Sequence, residues 1–216
     1  MEISRTSFII IILLIAIVFS IINPVCAYSD VAETWYSKGI TETDLGNYSG
    51  AIEAFEKAIT LEPDYFEAWN GKADALNRAK KYQDALIASN QVLMINSHYV
   101  KGWINRGYIL YNLGRYDEEL NAYDRAIDID PQNADAWFNR GYALAAVRRY
   151  DEAIRAFDRV AELDPNYPNL LANRRIAETN RDEATPFLVK YAPWIGISSL
   201  IVGGIGILMY RRKTRK

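Results

Sequence analysis

Chemistry on a substrate needs nucleophiles, proton-transfer groups or metal ligands in workable sets, and the 216-residue chain offers few of them. It has one cysteine, Cys26, and one histidine, His98. A lone cysteine forms no disulfide within the chain and no thiolate cluster for a metal. A lone histidine leaves little for an imidazole metal site or a Ser–His triad, and His98 falls at a junction between helical stretches, where it reads as a loop residue. The stretch "GKADA" at Gly71 lacks the leading spacing and the Ser/Thr of a phosphate loop. Asp and Glu are plentiful, but they lie along helical periodicities and read as solvated faces. No catalytic residue, metal or cofactor is expected.

Charge narrows the partners further. The formal net charge is −2, the last six residues "RRKTRK" contribute +5 and the amino end is neutral, so residues 28–210 carry −7 by difference. Phosphate binding needs a basic stripe, so an acidic middle argues against nucleic acid.

Side chains that recognise rather than react are more orderly. Tryptophan stands at Trp35, Trp69, Trp103 and Trp137, each 34 residues after the last. Blocks cut at that period, 32–65, 66–99, 100–133 and 134–167, align in further columns. Position eight is Gly39, Ala73, Gly107 and Gly141. Position 17 is Tyr48, Tyr82, Tyr116 and Tyr150. Position 20 is Ala51, Ala85, Glu119 and Ala153. Position 24 is Phe55, Ser89, Tyr123 and Phe157, and position 32 is Pro63, Ser97, Pro131 and Pro165. Each block holds two apolar-periodic stretches, which predict two helices, A and B, split by a Gly/Asn/Lys/Arg turn. In the fourth block the pattern predicts helix A from about 134 to 147 and helix B from about 151 to 163. Asp164-Pro165 ends it, because proline supplies no N–H and turns the preceding residue away from the helix. Small residues at positions eight and 20 let A and B approach closely.

The columns closely resemble the tetratricopeptide repeat (TPR) family over residues 32–167. The resemblance implies an all-α fold: a right-handed α-solenoid of four helix-turn-helix units. The tryptophans are expected on the buried side of the A helices, covered by the next repeat. Each buries roughly 150–250 Å², and truncation costs about 3–5 kcal/mol. Two departures stand out. Block two has Ala73, Ser89 and Ser97 and is expected to be looser. Glu119 replaces a small residue and is expected to shift outward or pair with an arginine. Residues 168–185 read as a capping helix, with Leu171 where tryptophan would stand and a polar face of Asn173, Arg174, Glu178 and Asp182.

The resemblance also implies a concave groove lined by the A helices, holding a peptide or a partner helix. Its positions fall on Tyr36, Ile40, Asn70, Asp74, Asn77, Ile104, Asn105, Tyr108, Tyr111, Asn112, Phe138, Asn139 and Tyr142. Aromatic rings offer rigid contact, and asparagine amides can both donate to and accept from a peptide backbone; packing of some rings against the next repeat is the alternative. A chaperone-type carboxylate clamp is incomplete: Tyr36, Ile40 and Gly71 stand at three of its places, and only Lys101 and Asn105 fit. Position seven is basic throughout, Lys38, Lys72, Arg106 and Arg140. Such a ladder either steers an acidic partner or lays its stems over the tryptophan layer. Asn47-Tyr48-Ser49 is a glycosylation sequon in an exported chain.

Both ends read as membrane signals. "FIIIILLIAIVFSII" is too short to span a bilayer, and residues 1–27 are expected to be a signal peptide cut before Tyr28, with a retained anchor as the alternative. Residues 28–31 are a linker. "YAPWIGISSLIVGGIGILMY", residues 191–210, has the length of a C-terminal transmembrane helix, with Trp194 and Tyr210 near its ends. The basic tail 211–216 is expected in the cytoplasm and the repeats outside it. Ser199 and Gly203 form a small-xxx-small pair through which two spans could dimerise. The expected function is a membrane-anchored, non-catalytic protein–protein interaction module that scaffolds or assembles envelope proteins. The alternative is an accessory subunit of a membrane enzyme or secretion complex.

Overall fold

The computed structural model describes residues 30–184, all of it helices and short turns. The expected signal segment 1–27, residues 28 and 29 of the linker, residue 185 of the cap, the span 191–210 and the tail 211–216 lie outside the described residues. No helix among the described residues is long and apolar enough to cross a membrane.

The chain runs as antiparallel helix pairs. Helix α1 is described over residues 30–44. It is followed by α2 (Tyr48–Leu61), α3 (Phe66–Arg78), α4 (Tyr82–Ile95), α5 (Val100–Asn112), α6 (Tyr116–Ile129), α7 (Ala134–Ala146), α8 (Tyr150–Leu163) and α9 (Leu170–Ala184). Odd-numbered helices α1 to α7 are the A helices and even-numbered ones the B helices. In the fourth repeat, α7 and α8 fall within a residue or so of the spans read from periodicity.

Local chemistry places the breaks. Each A–B turn carries one left-handed residue at the same repeat position: Gly46 at φ 77°, Lys80 at 61°, Gly114 at 71° and Arg148 at 63°. Two of the four are therefore side-chain-bearing residues in a backbone region that glycine occupies without cost. Each B helix ends on an extended residue: Glu62, Asn96, Asp130 and Asp164. Proline follows three of them and enforces that backbone. Asn96 adopts it before Ser97, so the geometry belongs to the repeat and not to proline alone. Asn47 and Asn133 cap α2 and α7 by accepting from the N–H of Gly50 at 3.2 Å and of Ala136 at 3.0 Å.

The core is a ring-on-glycine contact repeated along the stack. Phe55, Tyr123 and Phe157, all fully buried, press on position-eight glycines of the partner helix. A Cβ at Gly39 would lie 2.6 Å from the Phe55 ring, at Gly107 2.4 Å from Tyr123 and at Gly141 2.8 Å from Phe157. Phe55 is also pressed from the next repeat, where a Cβ at Gly71 would lie 2.5 Å away. Block two closes the same space differently, with Ala73 and Ser89 both buried.

The tryptophans depart from expectation. All four are partly buried rather than enclosed. The indole N–H groups of Trp69, Trp103 and Trp137 donate to the carbonyls of Pro63, Ser97 and Pro131, each at 2.9 Å. The ring thus seals the loop between repeats, and that polar handle holds its edge at the surface.

Glu119 departs too. It neither shifts outward nor pairs with arginine: it is 2 % exposed, and its Oε2 has no hydrogen-bond partner. Helix α9 covers the last repeat with Leu170 and Ala177. Its expected polar outer face is rearranged. Arg174 reaches back to Asp158 at 2.6 Å and to Glu178 at 2.5 Å, while the exposed side carries Leu171 and Ile176.

Curvature follows from which helices meet. Helices α3 and α5, α5 and α7, and α7 and α9 pack directly on one another, whereas α2, α4, α6 and α8 make no such approach among themselves. The A side is therefore the short, inner side of the stack.

Candidate functional site: the groove of the A helices

Because consecutive A helices are neighbours, residues about 35 apart in sequence meet across them. Three side-chain links stitch the inner face. Asn105 donates to the carbonyl and side-chain oxygens of Asn70, at 3.2 and 3.1 Å. Asn112 donates to Asn77 at 2.9 Å. The Tyr108 hydroxyl donates to the Asn139 side-chain oxygen at 2.8 Å. The asparagines expected to hold a peptide backbone are thus first used on one another. Asn139 is a correction to the expected groove lining: it is buried and lies beneath the surface as an acceptor for Tyr108.

The remaining groove positions divide by exposure. Ile40, Tyr108, Tyr111, Asn112 and Tyr142 are exposed. Tyr36, Asn70, Asp74, Asn77, Ile104, Asn105 and Phe138 are half-buried. Phe138 is held between Phe157 and Tyr167, with ring centroids at 5.6 and 4.8 Å, and Tyr36 packs on Tyr65 at 5.1 Å. Tyr111 stands edge-on to Tyr142 at 6.5 Å. Tyr36, Ile40, Asn70, Asp74, Ile104, Asn105 and Tyr108 are brought together around one cavity of about 350 Å³.

Position two completes that cavity with Glu33, Glu67, Lys101 and Asp135, of which only Lys101 was named from the sequence although the whole column was readable there. Glu67, Lys101 and Asp135 line the cavity. The Tyr65 hydroxyl donates to Glu33 and the Tyr167 hydroxyl donates to Asp135 at 2.5 Å. Asp74 pairs with Arg78 at 2.8 Å. Burial, then the Glu67 and Glu33 carboxylates, push the Tyr36 phenol up. Burial, Tyr36 and Glu67 do the same to Tyr99. Burial raises Tyr108, against the Asn139 hydrogen bond, which lowers it.

The basic column lies on the other side of the A helices. Lys72 pairs with Glu56 at 2.9 Å, Arg140 with Asp124 at 2.5 Å, and Arg106 donates to Asn90. Lys38, Lys72 and Arg140 also sit over the rings of Trp35, Trp69 and Trp137 at 5.1, 5.4 and 5.9 Å. The ladder covers the tryptophan layer and joins neighbouring repeats. Asn47 combines its cap with a 2.7 Å bond from its amide to Glu42. His98 lies exposed in the α4–α5 turn beside Ser97. Among the described residues no group of His, Cys, Asp and Glu could hold a metal ion.

The family model described as "Tetratricopeptide repeat" matches residues 36–95, 96–134 and 104–168. The chain belongs to the tetratricopeptide repeat family. No curated protein sequence matches it. Among solved structures, Pseudomonas aeruginosa PilF is similar at 18% identity and a TM-score of 0.67, covering 72% of its own chain and 73% of this one. YrrB, described as a TPR protein with an unusual peptide-binding site, is similar at 19% identity and a TM-score of 0.55, over 77% of its chain and 69% of this one. The first TPR of Spaghetti (RPAP3), bound to the HSP90 peptide SRMEEVD, is similar at 25% identity and a TM-score of 0.52, over 94% of its chain and 55% of this one.

Proposed function

We propose that the chain is a protein–protein interaction module that holds a peptide or partner helix in the groove of its A helices, and that it does so outside the cytoplasm, anchored by residues 191–210. One observation carries the groove reading. Tyr108, Tyr111 and Tyr142 stand exposed on the inner face, held in place from below by Asn139 and by one another. Rigid, half-solvated aromatics of this kind are the usual anchors of an interface. Peptide-bound or peptide-binding relatives of the same fold, YrrB and the Spaghetti TPR, support the reading. Proteins of this fold are generally non-catalytic interaction modules. The membrane anchor rests on the apolar run 191–210, and the orientation on the basic tail together with the amino-terminal signal segment.

On this reading the repeats scaffold or assemble envelope proteins. Service as an accessory subunit of a membrane enzyme or secretion complex is the competing role. Crosslinking in intact membranes separates the two: several substoichiometric partners fit a scaffold, and one stoichiometric enzyme fits the accessory subunit. Loss of capture in the Tyr108→Ala, Tyr142→Ala double variant supports the groove, and undiminished capture rejects it. Protease added to intact cells should cut within residues 32–185; protection until lysis would overturn the orientation.

A further inference from the structure

We propose that the groove's occupant is a basic peptide segment, seated by a lysine or arginine against Glu67. This rests on the groove reading above and adds the chemistry of the partner.

Three carboxylates, Glu67, Asp74 and Asp135, line the groove cavity against one ammonium group, Lys101. Two of the three are already engaged. Asp74 is in an ion pair with Arg78, and Asp135 accepts from the Tyr167 hydroxyl. The repeat geometry explains why Glu67 differs. In the first and fourth repeats the tyrosine 32 residues on donates to the position-two carboxylate, Tyr65 to Glu33 and Tyr167 to Asp135. In the second, Tyr99 turns its ring onto Phe66 instead, centroids 4.9 Å apart. Among the described residues Glu67 has neither a hydrogen-bond donor nor an ion-pair partner. It is nonetheless half-buried, and a carboxylate drawn out of water without a partner gains most from an incoming cation.

The surroundings favour the same ligand. The Glu67 carboxylate adds to burial in raising the Tyr36 and Tyr99 phenols, so its field reaches both rings at this end of the groove. Tyr36 lines the cavity with Glu67 as an aromatic group that can attract a guanidinium or ammonium group, and Ile40 and Tyr108 supply apolar contact for the side chain next to it. An acidic or carboxylate-ended peptide would find only Lys101, with the Asn105 amide already donating to Asn70. Complementary charge of this kind selects the partner and speeds its encounter more than it deepens affinity.

The test uses the full chain in detergent micelles, a display library of short random peptides, and anisotropy of the best-enriched peptide with a fluorescent label. Lysine and arginine should be enriched over the input library. E67Q should weaken the labelled peptide about 5-fold, the order of one partly screened ion pair. Tyr108→Ala should weaken it by about 10-fold or more, as for an interface anchor. D128N, which removes the same charge from α6 away from the groove, should leave binding unchanged. Enriched peptides that are neutral or acidic, yet still lost in Tyr108→Ala, overturn the charge assignment and leave the groove standing. Basic peptides indifferent to both E67Q and Tyr108→Ala bind elsewhere and overturn both. Absence of enrichment over empty micelles also overturns both.

Discussion

Replacing Glu119 by alanine should stabilise the protein at pH 8 and destabilise it slightly at pH 5. The other three repeats carry alanine at this position, and there it is fully buried. Glu119 is buried as deeply, with one carboxyl oxygen lacking any partner, and burial alone pushes its carboxyl up to about 7 from an ordinary 4.5. The Tyr123 and Tyr111 phenols are both raised in part by Glu119, and neither offers a positive charge. Below pH 4.5 the group is protonated in both folded and unfolded chains, so it adds no pH dependence. Between 4.5 and 7 the unfolded chain releases its proton and the folded chain holds it, so stability falls as pH rises. Above 7 both are ionised and the loss levels off. The difference of the two pKa values corresponds to about 3 kcal/mol.

Alanine removes this loss and also the packing of the glutamate stem, a cost of about 1–2 kcal/mol at either pH. The expected ΔΔG therefore moves by about 3 kcal/mol in favour of the variant between pH 5 and 8. Urea titration of the full chain in detergent, followed by tryptophan fluorescence with Trp103 in the same repeat, reads it. Glu119→Gln is the second arm: it keeps the shape and abolishes the titration, so it should show the same pH-dependent difference. Wild type and Glu119→Ala shifting in parallel from pH 5 to 8 would refute the assignment of a buried, uncompensated carboxyl.

Gly107→Ala should destabilise the fold by about 1–3 kcal/mol, because its Cβ would meet the buried Tyr123 ring at 2.4 Å; the drop in urea midpoint checks this, and an unchanged midpoint would mean the ring has room to move. Lys80→Gly should raise stability by about 1 kcal/mol, since Lys80 holds a φ of 61° that costs an L side chain roughly that much; a loss of stability by the same assay would show that the lysine stem contributes more than its backbone costs.

The period of 34 was enough to place the helices, because glycine, aromatic and proline columns each mark a fixed point of the helix pair. What the columns did not carry was depth. Tryptophan at position four reads as core by size, but its N–H must be satisfied, and the loop carbonyl that satisfies it lies at the surface. The fully buried ring is the one at position 24, and the clue was its partner: position eight is glycine in the three blocks whose position 24 is aromatic, and alanine where it is serine. Asn139 was misplaced for a related reason. Tyr108 reaches it from the preceding A helix, and the offset that joins them appears only when helices from different repeats are set side by side. The partners of the basic column were equally open to view, since Glu56, Asn90, Asp124 and Asp158 each stand 16 residues before the cation or guanidinium they meet. The position-20 column, alanine in the other three blocks, placed Glu119 at the contact between A and B helices, but did not tell whether its longer side chain would escape that contact.

The same bookkeeping separates the groove from the scaffold. Asparagines facing asparagines and phenols facing carboxylates are repeat-to-repeat links, and with the Asp74–Arg78 pair within α3 they engage much of the polar surface of the inner face. A residue that serves the solenoid in this way has little left for a partner. What is left after those links are removed is small: the exposed rings of Tyr108, Tyr111 and Tyr142, the apolar Ile40, and the charges of Glu67 and Lys101, which have no ion-pair partner among the described residues. Ring edges and a lone carboxylate are poor at holding two helices together, and good at holding a chain that brings its own apolar and basic side chains. The proposed recognition surface is therefore better defined by what its neighbours leave unsatisfied than by the family positions alone.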